Sequence, residues 1–125
     1  MNIRYDNGLL FIDIKISYLW KSKLIKNVVI DTGASHTIIS PDIVSSIGIS
    51  ASPLDKFITM YGICGEHYAY RKKIDSISIC GMDLKDIEID FGVIDENGNI
   101  NGLIGLDVLL ELGVSIDLKN LKLKL

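Results

Sequence analysis

The chain has 125 residues, of which 48% are hydrophobic, and its formal net charge is −3. This composition is too apolar for a disordered chain, and the length suffices for one domain with its own core. Lysine and arginine are spread along the sequence, which argues against nucleic-acid binding, and no apolar run reaches the ~18 residues of a membrane span. We therefore expect a single domain over residues 1–125, with no nucleic-acid partner and no membrane span.

The N-terminal stretch Met1–Asn7 is polar and contains an acid, so it does not resemble a signal peptide. We expect a cytoplasmic location. Cys64 and Cys80 have neither the spacing of metal ligands nor a neighbouring histidine cluster, which predicts two free thiols in a reducing compartment. We expect no metal and no cofactor.

Hydrophobic patterning predicts a mostly β chain. The expected strands, in chain order, are Leu10–Ile16, Lys26–Ile30, Thr37–Ile39, Phe57–Tyr61, Glu66–Lys72, Ile74–Cys80, Leu84–Ile94, Val114–Leu118 and Leu121–Leu125. The lysine-rich segment Ser17–Lys26 predicts a hairpin loop and its exit. Gly62–Gly65 predicts the glycine-rich tip of a β-hairpin.

Two short helices are expected. Ser40 supplies a capping hydroxyl, Pro41 suits the first helical position, and Gly48 ends the first helix. The second helix is predicted over Asp107–Leu112 and ends at Gly113. A shift of 65 positions aligns the two helices as a weak internal repeat, although any two capped amphipathic helices would look alike.

The most informative run is an apolar strand, Val28–Ile30, that leads directly into the motif Asp31–Ser35. A carboxylate at the end of a buried strand is costly unless a function requires it. Gly33 allows the turn to present backbone N–H groups to the carboxylate without a Cβ clash. The alternative is a turn aspartate that satisfies local backbone donors.

With the apolar strand, the following helix and the glycine-tipped hairpin included, the sequence resembles the retropepsin family of aspartic proteases. Val28–Ser40 corresponds to the active-site segment, Thr59–Arg71 to the flap hairpin, and Gly102–Leu109 with Val114–Lys119 to the final turn, helix and strands. The last part looks most like bacterial single-domain relatives and the retroviral-protease-like domain of ubiquitin-shuttle proteins, although Leu106 stands where viral enzymes usually have arginine. The resemblance implies a closed β-barrel of the acid-protease fold, with one or two short helices and a flap hairpin.

The resemblance makes Asp31 the catalytic residue and implies supporting roles for Thr32, Gly33, Ala34 and Ser35. Two adjacent carboxylates share one proton, so that one activates a water molecule and the other protonates the scissile carbonyl oxygen. The Thr32 hydroxyl would bond across the pair, and Ser35 would steady the loop from behind. Ala34 removes a hydroxyl that pepsin-like enzymes have, which predicts a mildly acid to neutral pH optimum.

The resemblance also assigns Tyr61, Gly62, Ile63, Cys64 and Gly65 to a flap tip that closes over an extended peptide and binds it as an added strand. An ordinary hairpin turn is the alternative.

Three further polar residues are given no catalytic role. His36 is expected to point away from the carboxylates, and His67 to be solvated. Asp107 is expected to cap its helix rather than act as a second acid.

The sequence contains one Asp-Thr-Gly and no Asp-Ser-Gly, so the dyad requires a C2 homodimer with its axis beside Asp31. Leu121–Leu125 suits an interface strand or an ordinary edge strand. Ser17–Lys26 is longer than the usual first hairpin of the family, which predicts an altered loop beside the site.

The expected function is an aspartic endopeptidase that cleaves extended peptide or protein segments. A preference for apolar side chains is expected from a lining of Ile30, Ile38, Ile63 and Ile104. The alternative is a peptide-binding or interaction module with the same fold and little turnover. A third interpretation is a protease domain of a larger polyprotein or membrane-anchored regulator, active only when a partner brings two copies together.

Overall fold

The computed structural model describes residues 1–62 and 65–125, and for residues 60–62 and 65–67 it describes the backbone only. The strands are β1 Arg4–Asp6, β2 Leu9–Tyr18, β3 Lys21–Ile30, β4 Ile38–Ile39, β5 Lys56–Gly62, β6 Gly65–Ile79, β7 Met82–Gly92, β8 Gly102–Ile104, β9 Ser115–Asp117 and β10 Lys122–Lys124. The helices are α1 Pro41–Val44, a 3₁₀ turn over Ser45–Ile47, and α2 Leu106–Leu112. Across these ranges, no helix is both long and apolar enough to cross a membrane.

The main sheet closes into a barrel. Its strand order is β1-β2-β3-β8-β4-β7-β6-β5, and β2 also pairs with β6, which joins the two sides of the sheet. The β3–β8 and β4–β7 pairs are parallel, and the other pairs of this order are antiparallel. The interior is filled by branched aliphatic side chains and one phenylalanine, including Ile14, Ile16, Ile25, Ile39, Ile77, Ile89, Phe91 and Ile104. The mostly β architecture with short helices is therefore as the hydrophobic pattern predicts.

The first hairpin differs from the prediction. Ser17–Lys26 is not a loop: β2 and β3 stay paired through Ser17 and Ser22 to Tyr18 and Lys21, and only two residues make the turn. The abundance of lysine suggested a loop, but Lys21–Leu24 form an exposed, paired end of the strand, and burial begins at Ile25. The hairpin turn therefore lies at the opposite end of β3 from Asp31, and the expected alteration of a loop beside the site is wrong.

Both helices end as predicted, and α1 begins as predicted, with Ser40 at its N-cap and Pro41 as its first residue. Gly48 and Gly113 adopt left-handed conformations, with φ of 85° and 66°, that terminate their helices. Ser40 precedes α1 without a side-chain capping bond, and Gly105 rather than Asp107 occupies the N-cap of α2. The strand, helix and glycine recur in the same order in both segments, in line with the predicted repeat.

The two chain ends pair with each other. Ile3 N donates to Leu121 O at 2.9 Å, and Leu123 N donates to Met1 O at 2.8 Å. On its other side β10 pairs with β9 in antiparallel register. Leu121–Leu125 thus contains a strand, as predicted, but this strand already has a neighbour on each side within the chain. Its part in a dimer interface stays a prediction.

A carboxylate in the β9–β10 hairpin titrates unusually low. Asp117 accepts hydrogen bonds from the Asn120 side chain and backbone at 3.0 and 3.1 Å, and pairs with Lys124 at 3.1 Å. These contacts, the Asn120 side chain first, lower the pKa of Asp117 from 3.8 to about 2. The stabilisation is therefore fully present above about pH 4 and is lost as pH falls through 2. We expect the NMR titration midpoint of this carboxyl group near 2 and, in Asn120→Ala, a midpoint closer to 3.8; an unshifted midpoint in the unmodified chain would contradict the assignment.

Candidate active site

Asp31 lies at the carboxyl end of β3, where the strand leaves the barrel. Its N–H donates to Ile104 O at 2.9 Å, which continues the parallel pairing of β3 with β8. Gly33 N donates to Asp31 Oδ1 at 3.0 Å and so orients the half-buried carboxylate.

The absence of a side chain at Gly33 suits this close approach. A Cβ added there would lie 3.3 Å from Asp31 Oδ1, tighter than an ordinary van der Waals contact. A side chain at this position would press on the oxygen that the Gly33 N–H binds. The structure therefore agrees with the role that the sequence predicts for this glycine.

The other motif residues divide into two groups. Ala34 joins the loop to α2, because its carbonyl oxygen accepts from Leu106 N at 2.8 Å. Thr32 and Ser35 are exposed, and neither side chain has a hydrogen bond within the described part of the chain. A bond from Thr32 across a pair of loops needs a second chain, and the steadying role of Ser35 stays a prediction.

A buried threonine locks the Asp31 loop to the start of α2. Thr37 Oγ1 donates to Asp107 Oδ1 at 2.7 Å and accepts from Gly105 N at 3.0 Å. Thr37 N donates to Asp107 Oδ2 at 2.9 Å. Thr37 is fully buried, so these bonds form away from water. Asp107 Oδ1 also accepts from Val108 N at 2.8 Å, so this carboxylate joins the loop to the first turn of α2 although Gly105 occupies the N-cap.

The Thr37 network was missed in the sequence because its partners lie 70 residues apart. A lone threonine in an apolar strand was the only available signal.

Thr37→Val should lower the free energy of unfolding by about 1–3 kcal/mol, since it removes the hydroxyl bound to Asp107 Oδ1 and leaves the buried Gly105 N–H without a partner. Thr37→Ser keeps the hydroxyl and should retain most of the stability. Chemical denaturation of both variants measures the difference. Retained stability in Thr37→Val together with a loss in Thr37→Ser would show that the methyl group, and not the hydroxyl, matters.

A cavity of about 340 Å³ opens directly beside the motif. Its lining comprises Gly33, Ala34, Ser35, His36, Ile38, Ile58, Arg71, Asp90, Ile94 and Leu103. Of the four expected apolar lining residues, Ile38 lies here. Ile30 and Ile104 are buried in the barrel core instead, because β3 and β8 turn them inward. Ile63 lies outside the described residues.

One wall of this cavity carries an ion pair that the sequence did not indicate. Arg71 Nε donates to Asp90 Oδ1 at 2.7 Å, and Nη2 donates to Oδ2 at 3.3 Å. The Asp90 side chain is 4% exposed and that of Arg71 is 20% exposed. The hydrogen bond to Asp90 raises the pKa of Arg71, so the guanidinium stays charged. The cavity is therefore apolar on most sides and charged on one.

The predicted hairpin over this cavity is present. Strands β5 and β6 pair from Lys56 with Arg71 through Gly62 with Gly65. Ile63 and Cys64 of the predicted tip lie outside the described residues, as does the side chain of Tyr61. Ile58 and Arg71, from the base of the hairpin, line the cavity, which places the hairpin next to the motif loop.

The side chains of two further titratable candidates, His36 and Cys80, are described. His36 is exposed and lies in the cavity lining, and the side chain of His67 is outside the described residues. Cys80 is a free thiol whose Sγ contacts Leu123 O at 3.3 Å.

Comparison with known proteins agrees with this arrangement. Residues 25–111, more than half of the chain, match the family described as "gag-polyprotein putative aspartyl protease". The chain belongs to this family of aspartyl proteases. Among solved structures, a retropepsin-like aspartic protease from Rickettsia conorii superposes with a TM-score of 0.70 at 23% identity, over 98% of this chain and 94% of that chain. The retropepsin-like fold is thus confirmed, and no curated protein matches the sequence.

Proposed function

We propose that the protein is an aspartic endopeptidase whose active site forms from two Asp31 residues across a homodimer. The observation that carries the proposal is the Asp31 carboxylate, presented at the end of β3 and oriented by Gly33 N–H. The loop behind it is locked by the Thr37–Asp107 bonds, so the carboxylate is preorganised.

The proposed mechanism of peptide hydrolysis depends on two carboxyl groups that lie next to each other. Because two adjacent carboxylates cannot both ionise, the pair holds one proton. The ionised Asp31 takes a proton from water as the water oxygen attacks the peptide carbonyl carbon, and the protonated Asp31 of the second chain donates to the carbonyl oxygen. The tetrahedral intermediate then collapses. The C–N bond breaks as one carboxyl group protonates the amine nitrogen and the other takes a proton from the intermediate, so that the two carboxylates again share one proton.

The cavity beside the motif supports a substrate side-chain pocket. Ile38, Ile58 and Leu103 provide apolar contacts, which favours an apolar substrate side chain. An extended peptide would run between the motif loop and the β5–β6 hairpin and would bind through its backbone as an added strand. Flap closure over that peptide is part of the proposal.

A peptide-binding module without turnover remains the second candidate. It is favoured by one observation: a single chain builds the cavity and its hairpin wall, whereas the dyad needs two chains. A monomer could therefore hold a peptide without cleaving it.

Concentration dependence separates the two functions. Cleavage of an unfolded protein should rise with the square of enzyme concentration below the dimer dissociation constant and linearly above it. Sedimentation should show the dimer over the same range. A chain that stays monomeric at high concentration and binds peptides without cleaving them would support the binding module instead.

A further inference from the structure

The turn between β2 and β3 exposes two large apolar residues. Trp20 is 100% exposed and Leu19 is 62% exposed, and both have positive φ, 71° and 46°. Two-residue hairpin turns of this kind favour asparagine and glycine, and bulky residues with positive φ are strained. Neither solvation nor backbone conformation accounts for leucine and tryptophan at this position.

The hairpin that carries this turn is basic. Strands β2 and β3 with their turn, residues 9–30, contain one acidic residue, Asp13, and four lysines, Lys15, Lys21, Lys23 and Lys26, although the whole chain has a net charge of −3. Lys15, Lys21 and Lys26 are exposed, and Lys23 is partly so. Positive charge is thus concentrated on the element whose tip is apolar.

We propose that the β2–β3 turn docks on an anionic membrane surface. Tryptophan favours the headgroup level of a bilayer, leucine the adjoining acyl region, and lysine the anionic headgroups. The strands remain paired up to Tyr18 and Lys21, so the backbone at the tip enters the interface with few unpaired polar groups. The charge on the hairpin is complementary to anionic lipid, which favours this surface over another acidic copy of the chain.

Docking in this way leaves the candidate active site free. The ten residues of β3 separate the turn from Asp31, a distance of about 33 Å at ~3.3 Å per residue. A chain held by its turn would therefore present the motif loop to the surrounding solution. The docking does not depend on catalysis.

The sequence contains one tryptophan, so the intrinsic fluorescence of Trp20 reports on the turn directly. With vesicles of phosphatidylglycerol and phosphatidylcholine, we expect a blue shift, quenching by brominated acyl chains, and reversal at high salt. With phosphatidylcholine alone, we expect at least tenfold weaker binding. Emission unchanged by anionic vesicles, with no co-sedimentation, would overturn the proposal.

Two sets of variants test the apolar and basic parts by vesicle sedimentation. Leu19→Asn/Trp20→Gly installs a favoured turn, so it should unfold at an equal or higher temperature yet lose vesicle binding. Lys21→Glu/Lys23→Glu should weaken binding at least ~25-fold, since each lysine near an anionic surface contributes roughly fivefold.

The matched control Lys56→Glu/Lys119→Glu makes the same charge change at exposed sites outside the hairpin and should have little effect. Equal loss in both pairs would show only general electrostatic attraction and would overturn the proposal. The proposal would also be overturned if Trp20 emission were already blue-shifted without lipid and if Trp20→Ser dissociated a dimer. A second copy of the chain would then cover the turn.

Discussion

Asp31→Asn is expected to reduce kcat/KM for peptide cleavage by at least about 10³-fold, while the fold and the dimer persist. The amide has nearly the same shape and can still accept the 3.0 Å bond from Gly33 N–H. It cannot take a proton from water, and a pair of amides has no proton to share. Cleavage of a peptide library measures the loss, and Asp13→Asn, the same change at an exposed position of β2, serves as the control.

Mixtures of the original chain and Asp31→Asn test whether each site needs two copies of the residue. If exchange is complete and the variant dimerises equally well, activity should follow the square of the fraction of unmodified chain. A linear decline would mean that each chain acts alone and would rule out the shared dyad. Undiminished cleavage by pure Asp31→Asn would rule out the protease function itself.

Gly105→Ala is expected to abolish cleavage and to destabilise the fold by about 1–3 kcal/mol. The added Cβ would lie 2.8 Å from both Ala34 O and His36 C, so backbone must move. The displaced segment is the loop that carries Asp31 and that accepts the Leu106 N–H. A shift of the carboxylate by a fraction of an ångström is enough to impair a preorganised site.

Gly8→Ala provides the comparison for Gly105→Ala. Gly8 has φ of 82° and open space around it, so alanine there strains the backbone without touching the site. Denaturation and cleavage should therefore separate the two variants: both lose stability, but Gly8→Ala keeps its activity per folded molecule. Full activity of Gly105→Ala would show that the Asp31 loop tolerates displacement.

Local patterns in the sequence account for much of the fold. Gly48 and Gly113 end their helices in left-handed conformations, as their positions after apolar helical stripes predict. The β5–β6 hairpin follows from two strand-like runs around Gly62–Gly65. Such patterns mispredict Ser17–Lys26. The lysine-rich start of a barrel strand resembles a loop in the sequence until its pairing is known.

The candidate active site likewise has features that the sequence predicts and features that it does not. The sequence by itself predicted Asp31 as the catalytic residue, a glycine at position 33 and a second copy of the motif. These predictions depend only on neighbouring residues and on the number of Asp-Thr-Gly motifs in the chain. Only the tertiary structure decided that Thr37 bonds Asp107 and that Arg71 pairs with Asp90 beside the cavity. Packing of the motif loop against α2 brings Thr37 to Asp107 across 70 positions, and the register of β6 with β7 places Arg71 opposite Asp90 across 19 positions. Hydrogen-bond partners so far apart leave no periodic pattern in the chain.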